Sequence, residues 1–140
     1  MSIIVTDDGF VQDNDAITPV SLEELQVSDT AGHAIDLEND GDLTVLTGFL
    51  DQISLIRVAF PSFADGRGFS IAKRLRLMGY RGALRAHGHL LSDQYPLARR
   101  SGFDAFEISA DLAERQPEAH WLIHQNWQGR DYQSRLRHAI

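Results

Sequence analysis

The chain reads as an α/β protein of four consecutive strand–helix units, and three observations predict it. From His33 onward, short apolar runs alternate with stretches of helical periodicity. Ser54–Phe60 is apolar at nearly every position, as in a strand covered on both faces. The joints are short, which in an alternating βα chain means a parallel sheet with right-handed crossovers. The units span residues 34–51, 54–78, 83–101 and 104–128. They close in one of two ways, as a half-barrel-like sheet completed by a second copy or by the N-terminal segment, or as an open doubly wound sheet. Arg85, pointing from a strand, favours the half-barrel, because barrel interiors collect functional polar residues at one end.

Each element has its own signal. Ser2–Val5 suits a short strand, and Val20–Val27 a helical turn or two capped by Ser21. Residues 1–31 as a whole read as an acidic appendage. Ala34–Leu37 is a strand, and Asp42 caps a helix from Leu43 to Asp51. Pro61 and the Asp65–Gly68 loop end the apolar strand. A helix from Phe69 to Met78 then buries Ile71, Ala72, Leu75 and Met78, with Gly79 as its stop. Ala83–His87 is the next strand. Ser92 or Asp93 caps a helix running to Ser101, closed by Gly102. Asp104–Ile108 is the fourth strand, Asp111 and Glu114 have capping-box spacing, and the last helical stretch breaks near Pro117. The expected organisation is a single domain over 1–140, with a βα core at 32–128 and a polar tail at 129–140.

Composition narrows the chemistry. There is no cysteine, so disulfides, thiolate catalysis and cysteine-ligated metal or iron–sulfur centres are excluded. All 13 Lys and Arg lie from Arg57 onward, while the first 52 residues hold 12 of the 20 acids. Such a division suits an acidic segment that lies against a basic surface, its own or a partner's. A net charge of −7 argues against nucleic acid. The acidic start lacks a leader pattern, and no apolar run reaches the roughly 18–20 residues of a spanning helix. The expectation is a cytoplasmic protein that does not engage a membrane.

The candidate site residues cluster between Phe60 and Gln94. In parallel α/β architecture the loops after successive strands share one sheet edge. Asp65, Gly66, Arg67 and Gly68 offer helix-start amides and a forked cation for an anion, or else a tight turn in which Asp65 caps the helix and Arg67 pairs with an acid. Arg85, His87 and Gln94 extend the ligand-binding set, and His87 with Asp93 are the candidates for acid–base catalysis. Gly66 and Gly68 without a third glycine do not make a dinucleotide fingerprint, and no P-loop is present. His87 and His89 share a side only if the strand continues through Gly88. His120 and His124 share a helix face but lack the glutamate of a zinc protease motif, and the calcium-loop-like start at Asp36 lacks its closing glutamate. No metal site is expected.

These residues also carry a resemblance. Phe63, Asp65-Gly66-Arg67-Gly68, Ser70, Ala72, Leu75-Arg76, Gly79-Tyr80, Gly82, Leu84-Arg85-Ala86, Gly88, Asp93-Gln94 and Gly102-Phe103-Asp104-Ala105-Phe106 together resemble a bacterial domain-of-unknown-function family, number 934. The match is strong over 34–108. Lys73 stands where the family pattern suggests Arg, and Ser101 where a cysteine is common. The family's members carry an oxidoreductase label tied to sulfite reduction. The resemblance implies an accessory protein of assimilatory sulfite or sulfate reduction, with sulfite reductase or another sulfur-assimilation enzyme as partner, and it supplies no catalytic residues. Combined with the residues themselves, the expected function is binding of a small oxyanion or anionic cofactor and docking to the reductase. Alternatives are a small enzyme acting on an anionic substrate at a half-barrel edge, and an interaction scaffold without ligand. A homodimer is one route to a closed barrel.

Overall fold

The computed structural model describes residues 2–12, 20–21, 33–39 and 42–127. In chain order they form β1 (Ser2–Thr6), β2 (Gly9–Gln12), β3 (Val20–Ser21), β4 (His33–Leu37), β5 (Ile53–Phe60), α1 (Arg67–Leu77), β6 (Ala83–Gly88), α2 (Tyr95–Ser101), β7 (Ala105–Ser109), α3 (Ala110–Arg115) and α4 (Glu118–Leu122). All strands belong to one sheet, ordered β2-β1-β7-β6-β5-β4-β3. Strands β3 to β7 pair in parallel, whereas β1 runs antiparallel to both β7 and β2.

The α/β class therefore holds, with three corrections. The sheet is mixed rather than all-parallel. Residues 2–12, expected in an appendage, form a hairpin that extends the sheet beyond β7, with Val5 fully buried in the core. The unit after β4 is not a helix. Asp42 does cap, accepting from Thr44 N–H at 3.0 Å, but it opens a single 3-10 turn, Leu43–Leu46, followed by another at Leu50–Gln52. Thr44, Val45 and Thr47 make this a poor α-helix sequence, because β-branched side chains crowd the preceding turn. Val20–Ser21 is a strand rather than the start of a helical turn; residues 22–27 and the tail from 129 lie outside the described residues.

Every parallel crossover from β3 to β7 joins spatial neighbours in sequence order. From β5 to β7, right-handed crossovers without a reversal place their connections on one face of the sheet, an order that favours one-sided packing over the doubly wound alternative. The packing agrees. Residues alternate along each strand, and Ile35, Leu37, Ile56, Val58, Phe60, Leu84, Ala86, Phe106 and Ile108 share the face on which Phe69, Ile71 and Leu75 of α1, Tyr95 of α2 and Trp121 of α4 are buried. Aromatic contacts bind the layers, with Phe60 against Phe69 and Phe103, and Phe106 against Tyr95 and Trp121. Gly68 starts α1 directly over Phe60, where a Cβ would fall 2.4 Å from the ring.

The opposite face carries charge. Asp36 (β4), Arg57 (β5) and Arg85 (β6) lie across from one another in register, and Glu107 (β7) stands across from His87. Arg57 forks onto Asp36 at 2.6 and 2.7 Å and reaches Glu107, while Arg85 donates to the other Glu107 oxygen at 3.0 Å. The hydrogen bonds Arg57 donates to Asp36 and Glu107, with the charges of both carboxylates, hold it above its ordinary pKa against the lowering by burial. At the N-terminal end, Asp7 in the hairpin turn accepts from Tyr95 Oη, Arg99 and Trp127, fastening the hairpin to α2.

Removing one partner from a buried ion network leaves the others uncompensated. Glu107→Ala is expected to destabilise the fold by about 3–5 kcal/mol, measured by urea unfolding. A loss below about 1 kcal/mol, the range of surface pairs, would show that the ladder contributes no more than exposed charges do.

Candidate functional site

Parallel strands β4 to β7 direct their C-terminal ends to one edge, and the predicted residues lie on or near it. They do not form one cluster. The structure divides them among a turn, the polar sheet face and a loop-walled cleft.

The Asp65–Gly68 segment is a self-contained turn. Asp65 accepts from Arg67 N–H at 3.2 Å, from Arg67 Nε at 3.0 Å and Nη2 at 2.7 Å, and from Asn39 Nδ2 at 2.6 Å. The Arg67 hydrogen bonds, with the smaller lowering from Asn39, pull the Asp65 carboxyl down to about 2. Asn39, buried at the end of β4, was not singled out in the sequence; its reach to Asp65 across 26 positions leaves no local signal. Gly68 owes its lack of a side chain to Phe60, whereas a Cβ at Gly66 would meet nothing closer than 3.8 Å.

Arg85 lies three residues back from Gly88 along β6, roughly 10 Å from the edge at the rise of a strand. It belongs to the ladder with Glu107. His87 shares that polar face, across from Ala59 and Glu107. Its Nε2 is buried and has no hydrogen-bond partner among the described residues. Burial, reinforced by the Arg57 charge, holds its pKa below the ordinary 6.5. The β6 ladder runs through Gly88, but there φ reaches +117° and a Cβ would fall 2.4 Å from the Phe60 carbonyl oxygen, so the chain turns away. His89 continues past the edge, with its N–H bonded to that same carbonyl at 2.9 Å.

Asp93 lies apart from His87. Its side chain is 89 % exposed, with Oδ1 3.4 Å from Nε2 of the buried His124. It does not cap the following helix, and neither does Ser92. The Gln94 side chain instead closes the 3-10 turn Ser92–Gln94 that precedes the helix, accepting from Leu91 N–H at 2.9 Å. Its Nε2 also donates to the Phe63 carbonyl at 2.8 Å, tying the loop after β5 to the loop after β6. Gln116 makes a second tie, accepting from Ser92 N–H at 2.6 Å and donating to the Leu90 carbonyl at 3.0 Å. After β7, Ser109 rather than Asp111 caps the helix, accepting from Leu112 N–H at 3.1 Å.

These ties wall a cleft of about 360 Å³ lined by Phe63, His89, Leu90, Leu91, Leu112, Arg115 and Gln116. A smaller recess of about 160 Å³ shares His89, Leu112 and Arg115 and adds Ser109 and Asp111. Arg115 pairs with Asp111 at 3.1 Å, both side chains more than two-thirds exposed. Leu112, Arg115 and Gln116 were not read as site residues, because their stretch shows only the pattern of an ordinary amphipathic helix. Ser101, at the family's cysteine position, is buried and donates to the Leu97 carbonyl at 2.8 Å. Among the described residues, no group of three or more His, Asp or Glu is placed to hold a metal ion, and no helix is long and apolar enough to cross a membrane.

Two titrations follow. Asp65 is depressed from 3.8 to about 2, so its contribution to stability is present above 3.8 and fades as the pH falls through about 2. Carboxyl-carbon NMR of Arg67→Gln is expected to show the Asp65 midpoint moving back toward 3.8; an unmoved midpoint would place the cause elsewhere. For His87 the unfolded chain takes up a proton first as the pH drops through 6.5, and stability declines from there downward. Imidazole resonances should show His87 neutral where an ordinary histidine is half-charged.

No curated protein matches the chain. A family model does, over residues 34–139, which takes in the sheet from β4 onward, both main helices and the whole cleft. The chain belongs to the bacterial protein family of unknown function DUF934.

Proposed function

We propose that this protein is an accessory component of assimilatory sulfite or sulfate reduction that binds a small anionic ligand in the carboxyl-edge cleft. One observation carries the ligand reading. An apolar wall (Phe63, Leu90, Leu91, Leu112) converges with His89 and the weakly held Arg115 in a cleft of about 360 Å³. Small-molecule sites have this make-up, apolar lining with a few placed polar groups, and this one is near the lower end of their size range. A tetrapyrrole or dinucleotide is too large for it; a small anion with an apolar portion fits.

The choice of cation follows from burial. Arg85 is held by Glu107 inside the ladder, and Arg67 is forked by Asp65. Among the described residues Arg115 pairs with the exposed Asp111 alone, and exposed pairs are worth about 0–1 kcal/mol. An anion therefore gains Arg115 at little cost, and a charge-assisted contact replaces a solvated one. The sulfur-assimilation role rests on the family resemblance, and a docking role for the acidic N-terminal third rests on its charge. The finer reading of the fold is a half-barrel whose concave side is the ladder face, supported by the unreversed order of β3 to β7. The scaffold alternative draws support from the self-satisfied Asp65–Arg67 turn. The enzyme alternative draws none from His87 and Asp93, which occupy separate surroundings.

Thermal shift and calorimetry with sulfite, sulfate, phosphate and small organosulfonates at low ionic strength test this. A ligand of the native state raises the melting temperature with concentration. Arg115→Ala is expected to weaken the hit about 10–100-fold, the equivalent of about 1.5–3 kcal/mol for a charged hydrogen bond. Arg67→Ala should leave it in place. A blank panel, or a hit indifferent to Arg115, sinks the cleft; failure to co-purify with the reductase at low salt separately sinks the accessory role.

A further inference from the structure

We infer that the C-terminal ends of α1 and α2 form a second functional surface, a docking patch for an acidic protein segment carrying an apolar anchor. Between Gly66 and Phe103 the sequence holds eight Lys and Arg and a single acid, Asp93. The structure sorts these cations. Arg76, Arg85 and Arg99 turn inward to carbonyls and carboxylates, while Lys73, Arg74, Arg81 and Arg100 stay on the exposed surface.

On α1, Ser70, Lys73, Arg74 and Leu77 follow the i, i+3, i+4, i+7 spacing of one stripe, and all are exposed. Leu77 is 87 % exposed and Met78, just beyond it, 37 %. Both border a groove of about 380 Å³ whose other walls are Thr44, Thr47 and Arg74. The end of α2 is held alongside, because Arg76 binds the Gly102 carbonyl through Nε and Nη2 at 3.0 and 2.8 Å, which brings Arg100 to the same end of the layer.

A cation near a helix C-terminus complements the helix dipole, and that accounts for Arg74 and Arg100 as charges. It does not account for a nearly bare Leu77 beside a groove. An apolar centre with a charged rim is the anatomy of a protein–protein contact. The rim sets the partner's sign, and the groove asks for an apolar side chain. Nucleic acid offers phosphates without that anchor, and the chain's net charge of −7 opposes it. This surface is distinct from the carboxyl-edge cleft and does not depend on it.

Fluorescence anisotropy with three labelled probes decides the matter, an acidic peptide bearing leucines, the same peptide with serine for leucine, and a single-stranded oligothymidylate. The leucine peptide is expected to bind saturably at 50 mM NaCl and at least tenfold more weakly at 500 mM. The serine peptide should bind at least tenfold more weakly than the leucine one. Leu77→Ser and Arg74→Glu should each lower affinity for the leucine peptide about tenfold, with circular dichroism showing the fold retained because both positions are exposed, and Arg115→Ala should leave it as it is. Absence of peptide binding, equal binding of the oligothymidylate, affinity indifferent to Leu77, or sedimentation showing a second copy of this chain on the patch would each overturn the proposal.

Discussion

The fold depends on a row of four charges that runs across its four central strands. Asp36, Arg57, Arg85 and Glu107 come one each from β4, β5, β6 and β7, and Arg57 and Glu107 each touch two members. Hydrophobic alternation on the other face already forbids a one-residue slip, since that would drive Arg57 and Arg85 among Ile56 and Leu84. It does not forbid a slip of two, which preserves inside and outside. The charges oppose it between β4 and β5, where Asp36 stands directly across from Arg57 and a slip of two would part them. Such networks contribute little net free energy against an apolar substitute, which fits a role in fixing register. His87 lies beside the same network, and its low proton affinity follows first from burial, with the Arg57 charge adding to it against the opposite pull of Asp36 and Glu107.

The unreversed strand order has a functional consequence. Doubly wound sheets bind ligands in the crevice where the order reverses, and this sheet has no such point between β3 and β7. Concavity at the carboxyl edge must come from the loops themselves. Gln94 joins the loops after β5 and β6, and Gln116 joins the loop after β6 to the helix after β7, so three consecutive connections form one wall. Backbone groups of Phe63, Leu90, Leu91 and Ser92 are taken up by these amides. The cleft is thus walled by apolar side chains, with His89, Arg115 and Gln116 as its polar groups.

Much of the sheet was legible in the sequence because the central strands announce themselves locally. Ser54–Phe60 and Ala83–His87 were found almost to the residue, Gly102 closes α2 with φ at +119° as expected, and Pro117 splits α3 from α4. What could not be read is non-local. The place of β1 beside β7 depends on pairing Ile3 with Ile108 across the chain, and the five residues SIIVT look the same inside a sheet or in an appendage. The candidate site suffered most from this. Arg67 and Arg85 stand out in a linear reading because nothing near them in sequence announces the partners that occupy them, apart from Asp65 itself. Glu107 lies 22 positions from Arg85. Arg115 and Gln116 read as surface positions of a helix until the loops beside them are in place. Residue type showed which groups were available; only the topology showed which were already in use.

The same logic separates the inward and outward arginines of the helical layer. Arg76 donates to the carbonyls of Tyr80, Gly82 and Gly102 and to Asp104, so it is a fastener between the end of α1 and the end of α2 rather than a surface charge. Gly102 makes room for it, since a Cβ there would fall 2.7 Å from Arg76 Cγ and the backbone is left-handed. With both helix ends clamped, Leu77 and Arg100 sit on a rigid platform, and a partner does not have to order that backbone on binding. Preorganisation of this kind lowers the entropic cost of association. A half-buried arginine held by carbonyls can therefore matter to recognition without touching the partner, through the spacing it imposes on those that do.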